Sequence, residues 1–190
     1  MTRNIQETKA ERVAAERLTA LECSRLGTLT SIVDCRRVRL YRGAGGAAGW
    51  LRRVVLRVSR NRAVALGNHV FLPDRCRGDL AVLAHELTHC GQYQAWGPLR
   101  YYAKGAAAQA RDLLYRTVGL GSSPYRYRVE MGKPFEAYGM EQQAQIVEDW
   151  FRAQTEITPS HRLDRRFDAP WYRAACPPRA PARSRPDPLP

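Results

Sequence analysis

Long apolar runs are missing from this chain of 190 residues. No segment approaches the roughly 18 to 20 consecutive apolar residues that a membrane-spanning helix needs. The first twenty residues carry scattered charges, with no apolar stretch of roughly 7 to 15 residues before a small-residue cleavage site. We therefore expect a soluble protein with no membrane span and no Sec signal peptide, made in the cytoplasm.

Cysteines are few, odd in number and far apart in the sequence. This pattern provides neither a dense disulfide framework nor a paired Cys-x-x-Cys zinc site. We expect reduced thiols at all five positions: Cys23, Cys35, Cys76, Cys90 and Cys176.

Lysine is also scarce, since only three of the 31 basic residues are lysines, while the formal net charge is +13. Nine arginines and no acidic residue lie between Cys35 and Pro73, which makes this stretch a candidate basic face. The chain contains no zinc-finger, helix-turn-helix or RNA-binding aromatic motif. We therefore do not favour nucleic acid as the partner.

The sequence divides into three parts. Residues 1–33 include apolar positions at helical spacing between residues 5 and 22, which predict an N-terminal helical or mobile segment. Residues 34–158 hold most of the apolar periodicity and are long enough for one domain with its own core. Residues 159–190 are rich in proline and arginine, which is typical of a flexible tail.

The first half of the central domain has strand signals. Alternation in VRLY, from residue 38, predicts a strand that a glycine-rich turn joins to a helix starting near Trp50. Residues 63–72 alternate on both sides of Gly67-Asn68, which predicts one bent strand or a tight hairpin.

Helical periodicity dominates the second half. Asp79 is a good N-cap and Gly97-Pro98 a strong stop signal for a helix between them. The turn residues of GLGSSPYRYR, at 119–128, predict an exposed loop. Helices are predicted over residues 80–96, 99–118 and about 138–154, and the fold class is α+β: a small sheet beside these helices.

The helix at 80–96 contains His85-Glu86-Leu87-Thr88-His89, the His-Glu-x-x-His pattern, between apolar residues. Two histidines four residues apart project from one helix face, so both imidazoles can bind one zinc ion. Glu86 is placed to accept a proton from a zinc-bound water and to pass it to the leaving group. The pattern predicts His85 and His89 as zinc ligands and Glu86 as the catalytic base.

Catalytic zinc needs a third protein ligand. No histidine follows His89 at short spacing, which favours a carboxylate from a second helix. Glu141 is the preferred residue, because it shares with Gln145 and Glu148 a polar face separate from the apolar stripe of its helix, and Gln145 could orient its carboxylate. The other candidates for this position stay open: Glu136, Glu148, His69 and His161.

Four segments, VRLYRG, AVALGNHVFLP, LAVLAHELTHCGQYQ and PFEAYGMEQQAQIVEDWF, occur in this order. Together they resemble bacterial zincin-like metallopeptidase domains associated with contractile injection systems and with type VI and Rhs-type secretion clusters. The resemblance covers residues 34–153. It implies a zincin-like fold, His85, His89 and Glu141 as zinc ligands, Glu86 as base, and export by a specialised secretion or injection system.

The leading functional hypothesis is a zinc metallopeptidase acting on a protein or peptide substrate. A tyrosine could stabilise the oxyanion, and four are candidates: Tyr93, Tyr125, Tyr127 and Tyr138. The alternative is a zinc-binding accessory module of a secretion apparatus with little or no turnover. The intact Glu86 favours the enzyme, because a purely structural metal needs no base.

Overall fold

The computed structural model describes residues 15–27, 29–42, 46–130 and 132–155. They form a mixed α+β fold, as predicted, with a small sheet and packed helices. The helices are α1 Ala20–Leu26, α2 Leu29–Ile32, α3 Gly46–Val58, α4 Leu80–Trp96, α5 Pro98–Val118 and α6 Met140–Thr155; the strands are β1 Arg39–Tyr41, β2 Val64–Leu66 and β3 His69–Phe71.

The sheet has the strand order β1-β3-β2. β1 pairs with β3 in parallel, with Leu40 beside Val70, and β2 pairs with β3 in antiparallel orientation. Of the two predicted alternatives for residues 63–72, the tight hairpin is therefore correct. Gly67 turns this hairpin with a φ of +64°, and a Cβ there would lie 3.2 Å from the ring of Tyr93. The position thus favours glycine for both backbone and space.

Helix α4 has the predicted bounds. The Asp79 carboxylate accepts from the amides of Ala81 and Val82, and the helix ends at Gly97, whose φ is +77°. Leu83 and Leu87 are buried in the core. The opposite face of α4 is buried too, because α6 packs on it.

Helix α6 starts at Met140, two residues later than predicted. The delay has a local cause: Phe135–Ala137 form a 3₁₀ turn, and Tyr138 after it is extended. Ala144 and Val147, which belong to the apolar stripe predicted for this helix, are buried. Ile146, outside that stripe, is also buried and packs with Tyr138.

Of the helical spacing predicted between residues 5 and 22, the described part is helical only from residue 20, where α1 begins. Residues 15–19 are not helical, because Glu16 forms an antiparallel bridge with Leu40. Thr19 and Glu22 then form a capping box that begins α1. Residues 1–14, the tail at 159–190, His161 and Cys176 lie outside the described residues.

The four described cysteines are free thiols, as expected, and Cys90 is buried in the core. Among the described helices, none is both long and apolar enough to cross a membrane.

Candidate metal centre

The structure brings together His85, His89 and Glu141, the three predicted ligands. One potential ligand atom from each lies within 4.8 Å of the other two. Glu141 Oε2 is 3.4 Å from His89 Nε2 and 4.0 Å from His85 Nε2. The described residues contain no other such group of three. Two imidazoles and a carboxylate therefore converge on one point between α4 and α6.

A buried pair of glutamine side chains fixes the first turn of α6 against α4. Gln92 Nε2 donates to the carbonyl of Met140 (3.1 Å) and to Gln143 Oε1 (3.0 Å). Gln143 Nε2 in turn donates to the carbonyl of Tyr138 (2.9 Å). Because Glu141 directly follows Met140, these bonds determine where its carboxylate enters the site.

The same glutamine orients His89. His89 Nδ1 lies 2.9 Å from Gln92 Oε1. Both Nε2 hydrogens of Gln92 already point at oxygen acceptors, so its Oε1 must accept the hydrogen bond from His89 Nδ1–H. Nε2 of His89 therefore faces Glu141 as the atom that can coordinate a metal.

His85 is supported by a chain of charged groups. Its Nδ1 lies 3.0 Å from Glu148 Oε2, and Glu148 Oε1 accepts from Arg152 Nη2 (2.8 Å) and Nε (3.1 Å). Arg152 Nη2 also lies 3.4 Å from Asp79 Oδ2, on the residue that caps α4. Glu148, a candidate ligand from the sequence, thus lies behind His85 and helps to aim its Nε2 at the cluster.

The proposed role of Gln145 as a partner of Glu141 is wrong. Gln145 Nε2 donates instead to Asp149 Oδ1, one turn later on α6 (2.9 Å). The supporting residues for the cluster are Gln92 and Glu148.

The remaining candidate ligands lie elsewhere or outside the described residues. Glu136 is exposed in the 3₁₀ turn before α6. His69 is exposed on β3, where its Nδ1 lies 3.0 Å from the hydroxyl of Tyr41. His161 is not described.

Glu86 is 5% exposed and lines the same cleft as the two histidines, but it does not belong to the ligand group. Burial raises the pKa of its carboxyl, and His85 and His89 oppose that shift. A buried carboxyl beside the cluster is suited to exchanging a proton rather than to solvent-exposed ion pairing.

The cluster attracts positive charge. Burial alone would lower the pKa of His89, but Glu141, Glu86 and Gln92 together raise it to about 9. Burial alone would raise the pKa of Glu141, but the hydrogen bond and charge of His89 hold it below its usual value. The pKa of Glu148 is likewise lowered, by His85 and Arg152 against the effect of burial.

The cluster, with Glu86 and Glu148, lines a cleft of about 770 Å³. Side chains of α3 and β2 form one wall, which is largely apolar, and α5 contributes another. The cluster is therefore accessible to a ligand of peptide size even though its side chains are mostly buried.

Of the four tyrosine candidates, Tyr125 lines the cleft, whereas the other three are not among its lining residues. The Tyr127 hydroxyl donates to Asp149 (2.6 Å), and that of Tyr138 accepts from the amide of Glu130 (3.0 Å). Tyr93 packs edge-on against Tyr101. Tyr101 and Tyr102 also line the cleft, which the sequence did not indicate.

Sequence reasoning missed Gln92 and the support that Glu148 and Arg152 give to His85. For Gln92 a signal was available, since it lies three residues after His89 and therefore on a neighbouring part of the helix face. Arg152 carried a weaker signal, its i+4 spacing from Glu148. Its contact with Asp79 depends on how two distant helices pack.

Part of the chain is similar to known proteins of bacterial injection and secretion systems. Residues 33–97, about a third of the chain, match the family described as the eCIS core domain. The chain is also 31% identical over 108 residues to the type VI secretion system spike protein VgrG2b of Pseudomonas aeruginosa, which covers 52% of this chain and 10% of that protein. The chain thus spans about a tenth of the length of this curated relative. No solved structure matches. The two similarities link the chain to contractile injection and type VI secretion systems.

Proposed function

We propose that this protein is a zinc metallopeptidase of zincin type that works with a bacterial secretion or injection system. The observation that carries the proposal is the convergence of His85, His89 and Glu141 beside the buried carboxyl of Glu86, at the wall of an open cleft.

The donor set fits zinc. Two imidazole nitrogens and one carboxylate oxygen are a known ligand combination for catalytic zinc, which leaves a position for water or substrate. The charge of the cluster also fits, because the carboxylates favour a cation between the two imidazoles. His85, His89 and Glu141 would hold the ion, with Glu148 and Gln92 orienting the two rings.

Bound zinc would supply Lewis-acid chemistry, lowering the pKa of water and polarising a peptide carbonyl. Glu86 accepts the proton of the attacking water on its carboxylate and delivers it to the leaving amine. Gln92 and Glu148 keep the imidazoles in place while this proton moves. Glu86 must therefore be present for turnover but not for metal binding.

Tyr125 is the best placed of the four predicted tyrosines to stabilise an oxyanion. Burial raises the pKa of its hydroxyl, and the nearby Glu141 adds to this effect. The hydroxyl therefore keeps its proton at neutral pH and can donate it in a hydrogen bond to negative charge that develops on the substrate.

The family match supports the link to secretion, and it covers the part of the chain that holds most of the site. Residues 33–97 include both histidines and Glu86, so the matched segment contains the chemical core of the site. We propose that the protein is made in the cytoplasm, is exported by or acts within such a system, and takes protein or peptide as substrate.

The test combines metal analysis with peptide cleavage. Wild-type protein should bind one zinc ion and cleave unfolded protein substrates. His85→Ala should lose zinc, whereas Glu86→Gln should keep zinc and lose cleavage. Loss of zinc by a folded Glu86→Gln protein would contradict the roles assigned. Zinc binding by wild type without cleavage of any substrate would favour the accessory module instead.

A further inference from the structure

The charge of the cleft outside the metal cluster is basic. Apart from Glu86, Glu141, Glu148 and the two histidines, the charged side chains that line it are Arg62 and Arg75. Neither arginine forms an ion pair with a carboxylate of the described residues. The cleft therefore presents two guanidinium groups that form no ion pair with a described carboxylate.

Arg62 is fixed by an unusual turn at the end of α3. Arg60 and Asn61, just before it, have left-handed backbones with φ of 56° and 58°. Such conformations are costly for residues other than glycine, and they occur frequently at functional sites. The Ser59 hydroxyl donates to the carbonyl of Arg62 (2.9 Å), and Arg62 Nε donates to the carbonyl of Ser59 (3.3 Å).

This turn leaves the ligand-binding part of the side chain available. Nε is the only side-chain atom of Arg62 with a hydrogen bond within the described residues, so the two Nη groups can bind a further acceptor. A guanidinium group presents those hydrogens in a planar fork that matches a carboxylate. The charge of Arg62 acts on both Glu141 and Tyr125, which are the third ligand and the candidate oxyanion donor.

The wall beside Arg62 is apolar and solvent-exposed. Val58 is 82% exposed, Val54 42%, Leu66 41% and Tyr102 49%, and all four line the cleft. An exposed apolar wall beside a cation suits a peptide segment that offers one apolar and one acidic side chain.

We propose that Arg62 binds a carboxylate of the substrate, so that the cleft selects peptides with an acidic side chain close to an apolar residue. This inference rests on the proposed peptidase function and adds a substrate class to it. The inactive protein tests it independently of turnover, because binding needs Arg62 and the cleft but not Glu86.

The experiment measures binding of fluorescent nonapeptides to zinc-loaded Glu86→Gln protein. Each peptide has a central leucine, and glutamate replaces glutamine at one flanking position at a time. At the best position we expect about 10-fold tighter binding of the glutamate peptide, as for a charge-assisted hydrogen bond, and less at high salt. Two substitutions of Arg62 test its role. Arg62→Gln should remove the preference for the glutamate peptide, and Arg62→Glu should instead prefer a peptide with lysine at that position.

Arg57→Gln is the control, because Arg57 is exposed on α3 but does not line this cleft. It should keep the preference. Zinc affinity should be unchanged in Arg62→Gln, which separates substrate binding from an effect through Glu141. Equal binding of glutamate and glutamine peptides at every position, or a preference that survives Arg62→Gln, would overturn the proposal.

The active protein separates the two proposals. If wild type cleaves peptides without regard to acidic residues, the selection by Arg62 is wrong and the peptidase stands. If no peptide is cleaved while Arg62-dependent binding is present, the peptidase is wrong and the carboxylate site stands.

Discussion

Replacing Gln92 by alanine should weaken both the fold and the metal site. The side chain accepts from His89 Nδ1 and donates to the Met140 carbonyl and to Gln143 Oε1, all within 3.1 Å and all buried. The substitution leaves three buried polar groups without this partner. At roughly 1 kcal/mol for each group, the free energy of unfolding should fall by about 3 kcal/mol.

The effect on zinc has a separate cause. Without Gln92 the His89 ring loses the acceptor of its Nδ1–H, and the first turn of α6 loses two contacts with α4. Loss of such supporting partners commonly reduces metal affinity by about 10- to 100-fold. Competition with a chromophoric chelator measures zinc affinity, and urea denaturation of the metal-free protein measures stability.

Gln94→Ala is a matched control from the same helix. Gln94 also makes three hydrogen bonds, accepting from the Asp34 amide and donating to the Asp34 carbonyl and to Asn68 Oδ1, but it contacts no ligand. It should lower stability and leave zinc affinity of the folded protein unchanged. Wild-type zinc affinity in Gln92→Ala, or an equal loss in Gln94→Ala, would refute the orienting role.

Three further outcomes are expected. Glu141→Ala should nearly abolish zinc binding because it removes a proposed ligand, whereas Glu148→Ala should reduce zinc affinity by only about 10-fold because it removes a supporting partner. Calorimetry measures both affinities, and equal losses would make Glu148 a ligand. Arg42 lowers the Glu22 pKa from 4.5 to about 2, so this ion pair stabilises the folded protein fully above pH 4.5 and loses its effect as pH falls toward 2. Solvent screening limits the contribution to about 1 kcal/mol. In an acid titration of unfolding free energy, Glu22→Gln should lack this pH-dependent contribution. Gly67→Ala should cost about 1 to 2 kcal/mol in thermal unfolding, since φ is positive there, and an unchanged melting temperature would argue against strain in the hairpin.

The parts of the fold that follow from nearby residues could be predicted from the sequence. Asp79 and Gly97 set the ends of α4 through local capping, and the spacing of His85 and His89 places both on one face whatever the rest of the chain does. Gly67-Asn68 left only a bent strand or a hairpin as alternatives. In each case the determining interactions span only a few residues.

The predictions that proved wrong concern features that depend on contacts between distant segments. The side chains of Gln145 and Glu148 share a helix face, and spacing alone does not reveal that one meets Asp149 and the other His85. Residues 15–19 belong to the stretch between residues 5 and 22 whose helical spacing predicted a helical or mobile segment. Pairing of Glu16 with Leu40 overrides that preference.

Helix α4 is buried on both faces, and one of these faces packs against α6 at the candidate metal centre. His85 and His89 come from α4, while Glu141 comes from α6, so the ion would connect two helices that already pack together. His85, His89 and Glu86 lie within residues 33–97, and Glu141 lies beyond them. The family-matched segment would therefore carry the proposed acid-base chemistry, but completion of the proposed metal site would depend on α6. Because Gln92 binds the start of α6 through the same side chain that contacts His89 Nδ1, this residue couples the first turn of α6 to the orientation of the His89 imidazole.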